Sequence, residues 1–575
     1  MAKTGNARPR ASAARPTLPP RRLEMRQVQR HRRRRLVVAL LVVLAVAGAG
    51  LVAIAVLRDD ASPAEADARR RVQRYLSAWE QTDLARMQRY VTTPPDELSS
   101  TYVEAFGGLS VTRARFERRG VSVDGDRGEA FFTARLQLAG LGRWEYRGRV
   151  PLEHDGSRWL VAWSAAALHP ELAPGRRLVA TRQVPPRAPI LGVDGSPLDA
   201  PGLDATDVTG GLGVATAAEA AELGPTYKAG DTIGSSGLQA TLERQLAGRP
   251  SGAVELQDES GRVEQTLFRF PGRAPEPVQT TLDPAMQRAA QQAVAGTLQP
   301  AAVVAIDAAS GDVRAVVSRP AGGFARAVEG RYPPGSTFKI VTTTAALTAG
   351  ITPQEVIDCP PSVTTDGKVF VNAEGGALGP IPLTTAFARS CNTAFVNIAN
   401  RLTDDQLAAA ATTFGFDGQP QLGVPSFGGT FPPPAGPVDH AAAALGQAQV
   451  EASPLHMASV AAAVAAGEWR PPRVLADASP GEPRPLDPAV AVSLREMMAL
   501  VVAEGTGTAA QLPGSPVHGK TGTAEFGTAT PPQTHAWFIG FRDDLAFAVL
   551  VEDGGFGGEV AAPIAARFLA SLSGT

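Results

Sequence analysis

A stretch of seven residues in the second half of the chain reads Pro333-Pro334-Gly335-Ser336-Thr337-Phe338-Lys339. Prolines followed by glycine favour a sharp entry into a helix, whose first backbone N–H groups then have no helix partner. Ser336 and Lys339 are three residues apart, so on a helix they share a face at about 5 to 6 Å between Cβ atoms. A serine hydroxyl becomes a good nucleophile when a base takes its proton, and a desolvated lysine can be that base. The stretch therefore predicts a nucleophile beside its base.

Two later stretches supply groups that such a site needs. The first reads Ser390-Cys391-Asn392, and the second reads Lys520-Thr521-Gly522-Thr523. On a strand, Thr521 and Thr523 share one face and can offer hydroxyls to a substrate carboxylate. Gly522 removes a side chain where another group must come close. The three stretches together predict one site assembled from distant parts of the chain.

Composition limits the other classes of function. The 575 residues allow several domains, and 44% apolar with 19% charged residues is the balance of a folded chain. Only two cysteines, Cys359 and Cys391, are present, which excludes a disulfide scaffold and a zinc site built on paired thiolates. We expect no cofactor and no metal.

The N-terminal end differs from the rest of the chain. Residues 1–35 hold twelve Arg or Lys and one acid, and residues 36–57 are uncharged and apolar. That run can cross a hydrocarbon core of about 30 Å as a helix, and its basic flank places residues 1–35 in the cytoplasm. A cleaved signal peptide is the alternative, but its apolar run is usually only about 7 to 15 residues long. We therefore expect a single-pass cell-membrane protein with most of the chain outside the cytoplasm, and no nucleic-acid partner.

Three further regions follow. Residues 61–170 combine a helical pattern with strand-like alternation, which predicts a small α+β domain. Residues 171–275 are rich in Gly and Pro and predict a β-rich pedestal. Residues 276–575 predict a mixed α/β domain, with a hairpin at Ala301–Ile306 and Val313–Val317. Helical stretches are expected between 339 and 505, and strands near 519–525, 535–541 and 545–551.

The motif order S-x-x-K, S-x-N, K-T-G is the signature of penicillin-binding proteins and class A β-lactamases. The chain resembles the class B, monofunctional D,D-transpeptidases of that family. Further similar stretches are Thr281-Leu282-Asp283-Pro284, Ser236-Gly237-Leu238-Gln239 and Ser453-Pro454-Leu455. The resemblance implies a multidomain chain: one transmembrane helix, a small α+β domain of the NTF2-like kind seen in the staphylococcal resistance-type branch, a β-rich pedestal or dimerisation domain, and a β-lactamase-like serine transpeptidase domain.

The resemblance also implies roles for individual residues. Ser336 would attack the penultimate D-Ala carbonyl of a stem peptide while Lys339 accepts its proton. Ser390 would relay the proton to the leaving D-Ala, with Asn392 holding the substrate amide and Lys520 supplying positive charge. The backbone N–H groups of Ser336 and Thr523 would form the oxyanion hole, and Thr521, Gly522 and Thr523 would line the carboxylate site.

Partners follow from the same resemblance. Peptidoglycan stem peptides would be the substrates, and β-lactam antibiotics would acylate the same serine as inhibitors. The chain carries no glycosyltransferase motif, so a membrane glycosyltransferase in a division or elongation complex is an expected partner. A β-lactamase or a non-turnover β-lactam sensor of the same fold remains the alternative.

Two departures and one rival pattern stand beside the resemblance. The usual G-Q-G of the family reads Gly446-Gln447-Ala448. Cys391, at the middle of S-x-N, is interpreted as buried and inert, and its pairing with Cys359 stays open. Residues 514–521 also fit the P-loop pattern, but that motif should follow a strand and open a helix, and this one does neither.

Overall fold

The computed structural model describes residues 62–373, 376–418, 420, 422–527, 529 and 532–572. The expected cytoplasmic tail and transmembrane helix, residues 1–35 and 36–57, lie outside the described residues. Within the described part of the chain, no helix has the length and apolar character needed to span a membrane.

The N-terminal domain is a four-stranded sheet with helices beside it. Its helices are α1 (Pro63–Glu80), α2 (Leu84–Gln88) and α3 (Glu97–Leu109), and its strands are β1 (Val111–Asp124), β2 (Arg127–Leu138), β3 (Gly142–His154) and β4 (Trp159–Val161), in the order β1-β2-β3-β4. Ser62 caps α1, and Val72, Tyr75, Leu76 and Trp79, which recur at helical spacing, are all buried. Trp79 stacks on Phe116 of β1 with 3.9 Å between ring centroids.

The second region consists of short elements and one larger hairpin. Its elements are β5 (Arg176–Gln183), β6 (Ile190–Leu191), α4 (Thr206–Thr209), β7 (Leu212–Val214), α5 (Ala217–Leu223), β8 (Thr232–Gly234), α6 (Gly237–Thr241), α7 (Glu243–Ala247), β9 (Ser251–Asp258), β10 (Val263–Phe270) and β11 (Val278–Gln279). The strands β10, β9 and β5 form an antiparallel sheet. The predicted β-rich character of this region, with many turns, is confirmed.

The C-terminal region holds the longest helices and the largest sheet. Its helices are α8 (Pro284–Val294), α9 (Arg326–Glu329), α10 (Lys339–Thr348), α11 (Leu383–Ala388), α12 (Asn392–Ala399), α13 (Asp404–Thr413), α14 (Pro437–Ala443), α15 (Pro454–Ala466), α16 (Pro488–Ala503) and α17 (Ala561–Leu572). Its strands are β12 (Ala301–Asp307), β13 (Val313–Arg319), β14 (Val356–Cys359), β15 (Ser362–Thr365), β16 (Lys368–Val371), β17 (Gly379–Pro382), β18 (Gly429–Thr430), β19 (Glu451–Ala452), β20 (Glu468–Trp469), β21 (Arg484–Pro485), β22 (His518–Phe526), β23 (Gln533–Arg542) and β24 (Leu545–Val551).

Five of these strands form one antiparallel sheet in the order β13-β12-β24-β23-β22. Its strands are apolar on both faces because each face is covered: Val303 joins the cluster that contains α8 and α17, and Val304 joins the cluster that contains α10, α15 and α16. Strand β22 lies at the edge, and Lys520 is paired with Ile539 of β23. In this sheet β22 therefore has a strand partner on one side only.

The sequence predictions for this region hold in their main points. The hairpin at Ala301–Ile306 and Val313–Val317 is confirmed as β12 and β13. Asp283 caps α8 by accepting hydrogen bonds from the backbone N–H groups of Ala285 and Met286.

Candidate active site

Lys339 is the first residue of α10, and its amine lies at the junction of two motifs. Its Nζ donates to Asn392 Oδ1 at 2.8 Å, to the Ser390 carbonyl at 2.9 Å and to Ser390 Oγ at 3.4 Å. The residue is fully buried. Burial, and then the nearby charge of Lys520, hold the pKa of Lys339 well below its usual range. The neutral amine that a general base requires is therefore favoured.

Lys520 approaches the same serine from the sheet. Its Nζ donates to Ser390 Oγ at 2.8 Å and to the carbonyl of Thr521 at 3.0 Å. Burial lowers the pKa of Lys520 to about 7. The Ser390 hydroxyl thus accepts hydrogen bonds from two amines that belong to the other two motifs. Both amines lose charge readily because water is excluded from them.

Ser336 lies in a single 3₁₀ turn, Gly335–Phe338, that leads directly into α10. The expected helix start is therefore a 3₁₀ turn at the serine and becomes α-helical only at Lys339. The turn is fixed by hydrogen bonds from Thr337 Oγ1 to the Pro334 carbonyl at 2.7 Å and from the Gly335 N–H to the Gly446 carbonyl at 2.8 Å. No described residue forms a hydrogen bond with the half-buried Ser336 hydroxyl.

The requirement for glycine between the two threonines follows from packing. A Cβ on Gly522 would lie 2.9 Å from Thr337 Cγ2 and 3.0 Å from the Pro334 carbonyl oxygen. The turn that carries Ser336 therefore packs directly on the backbone of β22.

A disulfide and the hydrogen bonds of one asparagine hold the S-x-N segment in place. Cys391 forms a disulfide with Cys359 of β14, with 6.3 Å between Cα atoms. Asn372 adds to this anchor: its Nδ2 donates to the Pro360 carbonyl at 2.9 Å, and its Oδ1 accepts from the Thr393 N–H at 3.0 Å. The pairing that the sequence left open is therefore present. Cys391 is buried, but it is part of a covalent link and not an inert thiol.

The two threonines of the third motif already have protein partners. Thr521, which is 5% exposed, hydrogen-bonds through its hydroxyl to the hydroxyl of Thr506. Thr523 Oγ1 accepts a hydrogen bond from the Gly557 N–H at 3.3 Å. Thr523 is the more accessible of the two, so a carboxylate would reach its hydroxyl first.

The structure brings four of the residues that the sequence singled out into direct contact, and it places the turn that carries Ser336 beside β22 without a hydrogen bond from the Ser336 hydroxyl to a described residue. Ser390, Asn392, Lys339 and Lys520 share one hydrogen-bond network, and the turn with Ser336 packs against the strand that carries Gly522. Sequence reasoning missed Asn372, which belongs to no motif, and noticed Thr506 only as part of a stretch similar to the family, without a role. Within the described residues, no group of His, Cys, Asp or Glu has the arrangement to hold a metal ion.

Lys520 should make the free energy of unfolding depend on pH. Its pKa is about 7 in the folded chain and about 10.4 in an unfolded one, so between these values the unfolded state binds the extra proton. Stability therefore rises with pH across this range. Denaturant unfolding at pH 6, 7.5 and 9 gives the free energy of unfolding of the wild type and of Lys520→Met. The wild-type value minus the value of the variant should increase as pH rises. Parallel pH dependences would contradict the low pKa.

Comparison with protein families identifies the fold. The family model described as the penicillin-binding protein transpeptidase domain matches residues 301–570 of this chain. The NTF2-like N-terminal transpeptidase domain matches residues 67–176, and the penicillin-binding protein dimerisation domain matches residues 202–280. A transpeptidase of the penicillin-binding type is the class that these matches and the site define. The predicted NTF2-like and dimerisation domains are confirmed.

Individual relatives of this chain belong to the same class of protein. The chain is 36% identical over 378 residues to the peptidoglycan D,D-transpeptidase PbpA of Mycolicibacterium smegmatis, covering 52% of this chain and 74% of the relative. It is 35% identical to PbpA of Mycobacterium tuberculosis, covering 51% and 72%. The solved ceftriaxone acyl-enzyme of penicillin-binding protein A from M. tuberculosis matches with a TM-score of 0.54 and 27% identity, covering 68% of this chain and 98% of that one. The chain belongs to the class B penicillin-binding proteins.

Proposed function

We propose that this protein is a peptidoglycan D,D-transpeptidase that cross-links stem peptides through an acyl-enzyme on Ser336. One observation carries the proposal: the Ser390 hydroxyl is hydrogen-bonded to the buried amines of both Lys339 and Lys520. The relatives named as peptidoglycan D,D-transpeptidases support the choice of substrate.

The first half-reaction uses the neutral amine of Lys339. This amine takes the proton of Ser336, and the serine oxygen attacks the carbonyl carbon of the penultimate D-Ala. The N–H groups of Ser336 and Thr523 stabilise the oxyanion. Ser390 then passes its proton to the nitrogen of the terminal D-Ala and takes back the proton that Lys339 had accepted from Ser336. The C–N bond breaks, the terminal D-Ala leaves as an amine, and an ester to Ser336 remains.

The second half-reaction reverses the proton path. An amine of a neighbouring stem attacks the ester carbonyl, and its surplus proton returns through the same network to the departing Ser336 oxygen. In its protonated form Lys520 supplies positive charge, and a pKa of about 7 leaves this form populated at neutral pH. Thr521 and Thr523 line the site for the terminal carboxylate of the donor. Asn392 holds the substrate amide, and its Nδ2 donates to the Val371 carbonyl at 3.1 Å.

A β-lactam would be trapped as an ester at the same serine, which makes these antibiotics inhibitors. We propose that a membrane glycosyltransferase in a division or elongation complex polymerises the glycan, and we assign no such activity to this chain. We further propose that residues 36–57 anchor the protein in the cell membrane, with the transpeptidase domain outside the cytoplasm.

Mass spectrometry of the penicillin-treated protein tests the proposal. We expect the acyl group on the peptide that contains Ser336, with a lifetime of many minutes. Release within seconds would favour a β-lactamase, and an acyl group on another residue would overturn the assignment. A donor peptide and an amine acceptor should also give a cross-linked product, whereas a non-turnover sensor would give none.

A further inference from the structure

The side chain of Gln447 lies against the free edge of β22. In the amide orientation that satisfies both of its polar atoms, it accepts from the backbone N–H of Glu525 at 3.0 Å and donates to the Glu525 carbonyl at 3.3 Å. A backbone strand added to this edge would make the same two hydrogen bonds. Gln447 therefore occupies one position at which a bound peptide would pair.

The rest of the edge follows from strand geometry. In an antiparallel strand, alternate residues direct both backbone groups to the same side, so Thr521 and Thr523 face the same way as Glu525. The Thr521 carbonyl is taken by the amine of Lys520 at 3.0 Å. Between Lys520 and the side chain of Gln447, Thr523 is left to pair with a ligand through both its N–H and its carbonyl.

The residues on both sides of Gln447 have positive φ, a backbone conformation that few residues adopt. Gly446 has φ of +70°, and a Cβ there would lie 2.3 Å from the Gly335 carbonyl oxygen. Ala448 has φ of +59°, in the left-handed region that is unfavourable for a residue other than glycine. The Gln447 N–H is bonded to the Ala442 carbonyl at 3.0 Å. Contacts on both sides of Gln447 thus fix its position.

We infer that Gln447 is a specificity-determining residue that limits the pairing of the donor stem with β22 to the single residue Thr523. The inference rests on the proposed function, in which the terminal carboxylate lies at the side chains of Thr521 and Thr523 and the scissile carbonyl lies at the backbone N–H of Thr523. The donor then runs antiparallel to β22, and its earlier residues head towards Glu525. Because Gln447 holds that position, the stem leaves the strand after one paired residue.

Donors of two lengths test this limit. One depsipeptide ending in D-Ala-D-lactate begins at the second residue before the scissile bond, and the other begins at the fourth and can reach Glu525. In Gln447→Ala, kcat/KM for the long donor relative to the short one should rise about 3- to 10-fold, the worth of one added hydrogen-bonded pair. Gln449→Ala, an exposed glutamine in the same loop, is the matched control and should leave the ratio unchanged. An unchanged ratio in Gln447→Ala would overturn the inference.

Hydrogen exchange separates this inference from the proposed function. Without any donor, the Glu525 amide should exchange slowly in the wild type and at least about tenfold faster in Gln447→Ala, because one hydrogen bond is lost. The long donor should restore its protection in the variant, and the short donor should not. Fast exchange of this amide in the wild type would refute the role of Gln447, even if Ser336 proves to be the nucleophile. Acylation at another residue would refute the function, even if the amide is protected.

Discussion

Lys339→Met should lower the second-order rate constant of β-lactam acylation by about three to four orders of magnitude, because removing a positioned general base costs up to about 10⁴-fold. A nucleophile and its base act as a unit, so the loss should approach the complete loss expected for Ser336→Ala. The folded protein should nevertheless be at least as stable as the wild type. Methionine fills a similar volume without the cost of burying an amine, which is fully buried here. Stopped-flow acylation and thermal unfolding measure the two effects.

Lys368→Met is the matched control for the change of charge. Lys368 is exposed at the start of β16, and its replacement should leave the acylation rate unchanged. Acylation of Lys339→Met within tenfold of the wild type would mean that another group takes the proton. Loss of activity together with loss of stability would indicate misfolding and would remove support for a general base.

Removal of the disulfide should lower the free energy of unfolding of the transpeptidase domain by about 3 to 4 kcal/mol. The estimate follows from the loop-closure entropy of a link between residues 32 apart in sequence. The informative variant combines Cys359→Ala with Cys391→Ser. Cys391 Sγ accepts from the Ala394 N–H at 3.3 Å, and a serine hydroxyl can keep this helix cap. Denaturant unfolding, with acylation measured on the same samples, gives the result.

Acylation should slow in this variant as well, because the link lies between the two residues that contact the lysines, Ser390 and Asn392. Ser390 has φ of +56°, an unfavourable conformation for serine that its surroundings must impose. Treatment of the wild type with a reductant should reproduce both effects, and the variant should be insensitive to it. Unchanged stability after reduction would show that the native contacts alone hold this segment.

Some parts of this molecule follow directly from local sequence. The hairpin of β12 and β13 is predictable because apolar runs flank Ser310-Gly311-Asp312, and α1 is predictable because its buried residues recur at helical spacing. Each of the three motifs is recognisable because its residues are neighbours in sequence. In these cases the determining interactions lie within a few residues of each other.

Other features depend on contacts between distant residues. The 3₁₀ turn at Ser336 reflects the close packing of Gly335 against Ala524, 3.0 Å from a Cβ at that glycine. The pairing of Cys359 with Cys391 needs a distance that only the folded chain supplies. Gln447 was noticed only as part of a family stretch, because its hydrogen bonds are to backbone atoms and carry no residue signature.

The burial of the two active-site amines has a practical consequence. The chain has only five lysines, and Lys3 lies outside the described residues. Lys228 and Lys368 are exposed, whereas Lys339 and Lys520 are fully buried. Succinimidyl dyes and sensor-chip coupling chemistry should therefore react first at the exposed amines and spare the two amines of the active site, and an immobilised sample should retain its capacity to bind antibiotics.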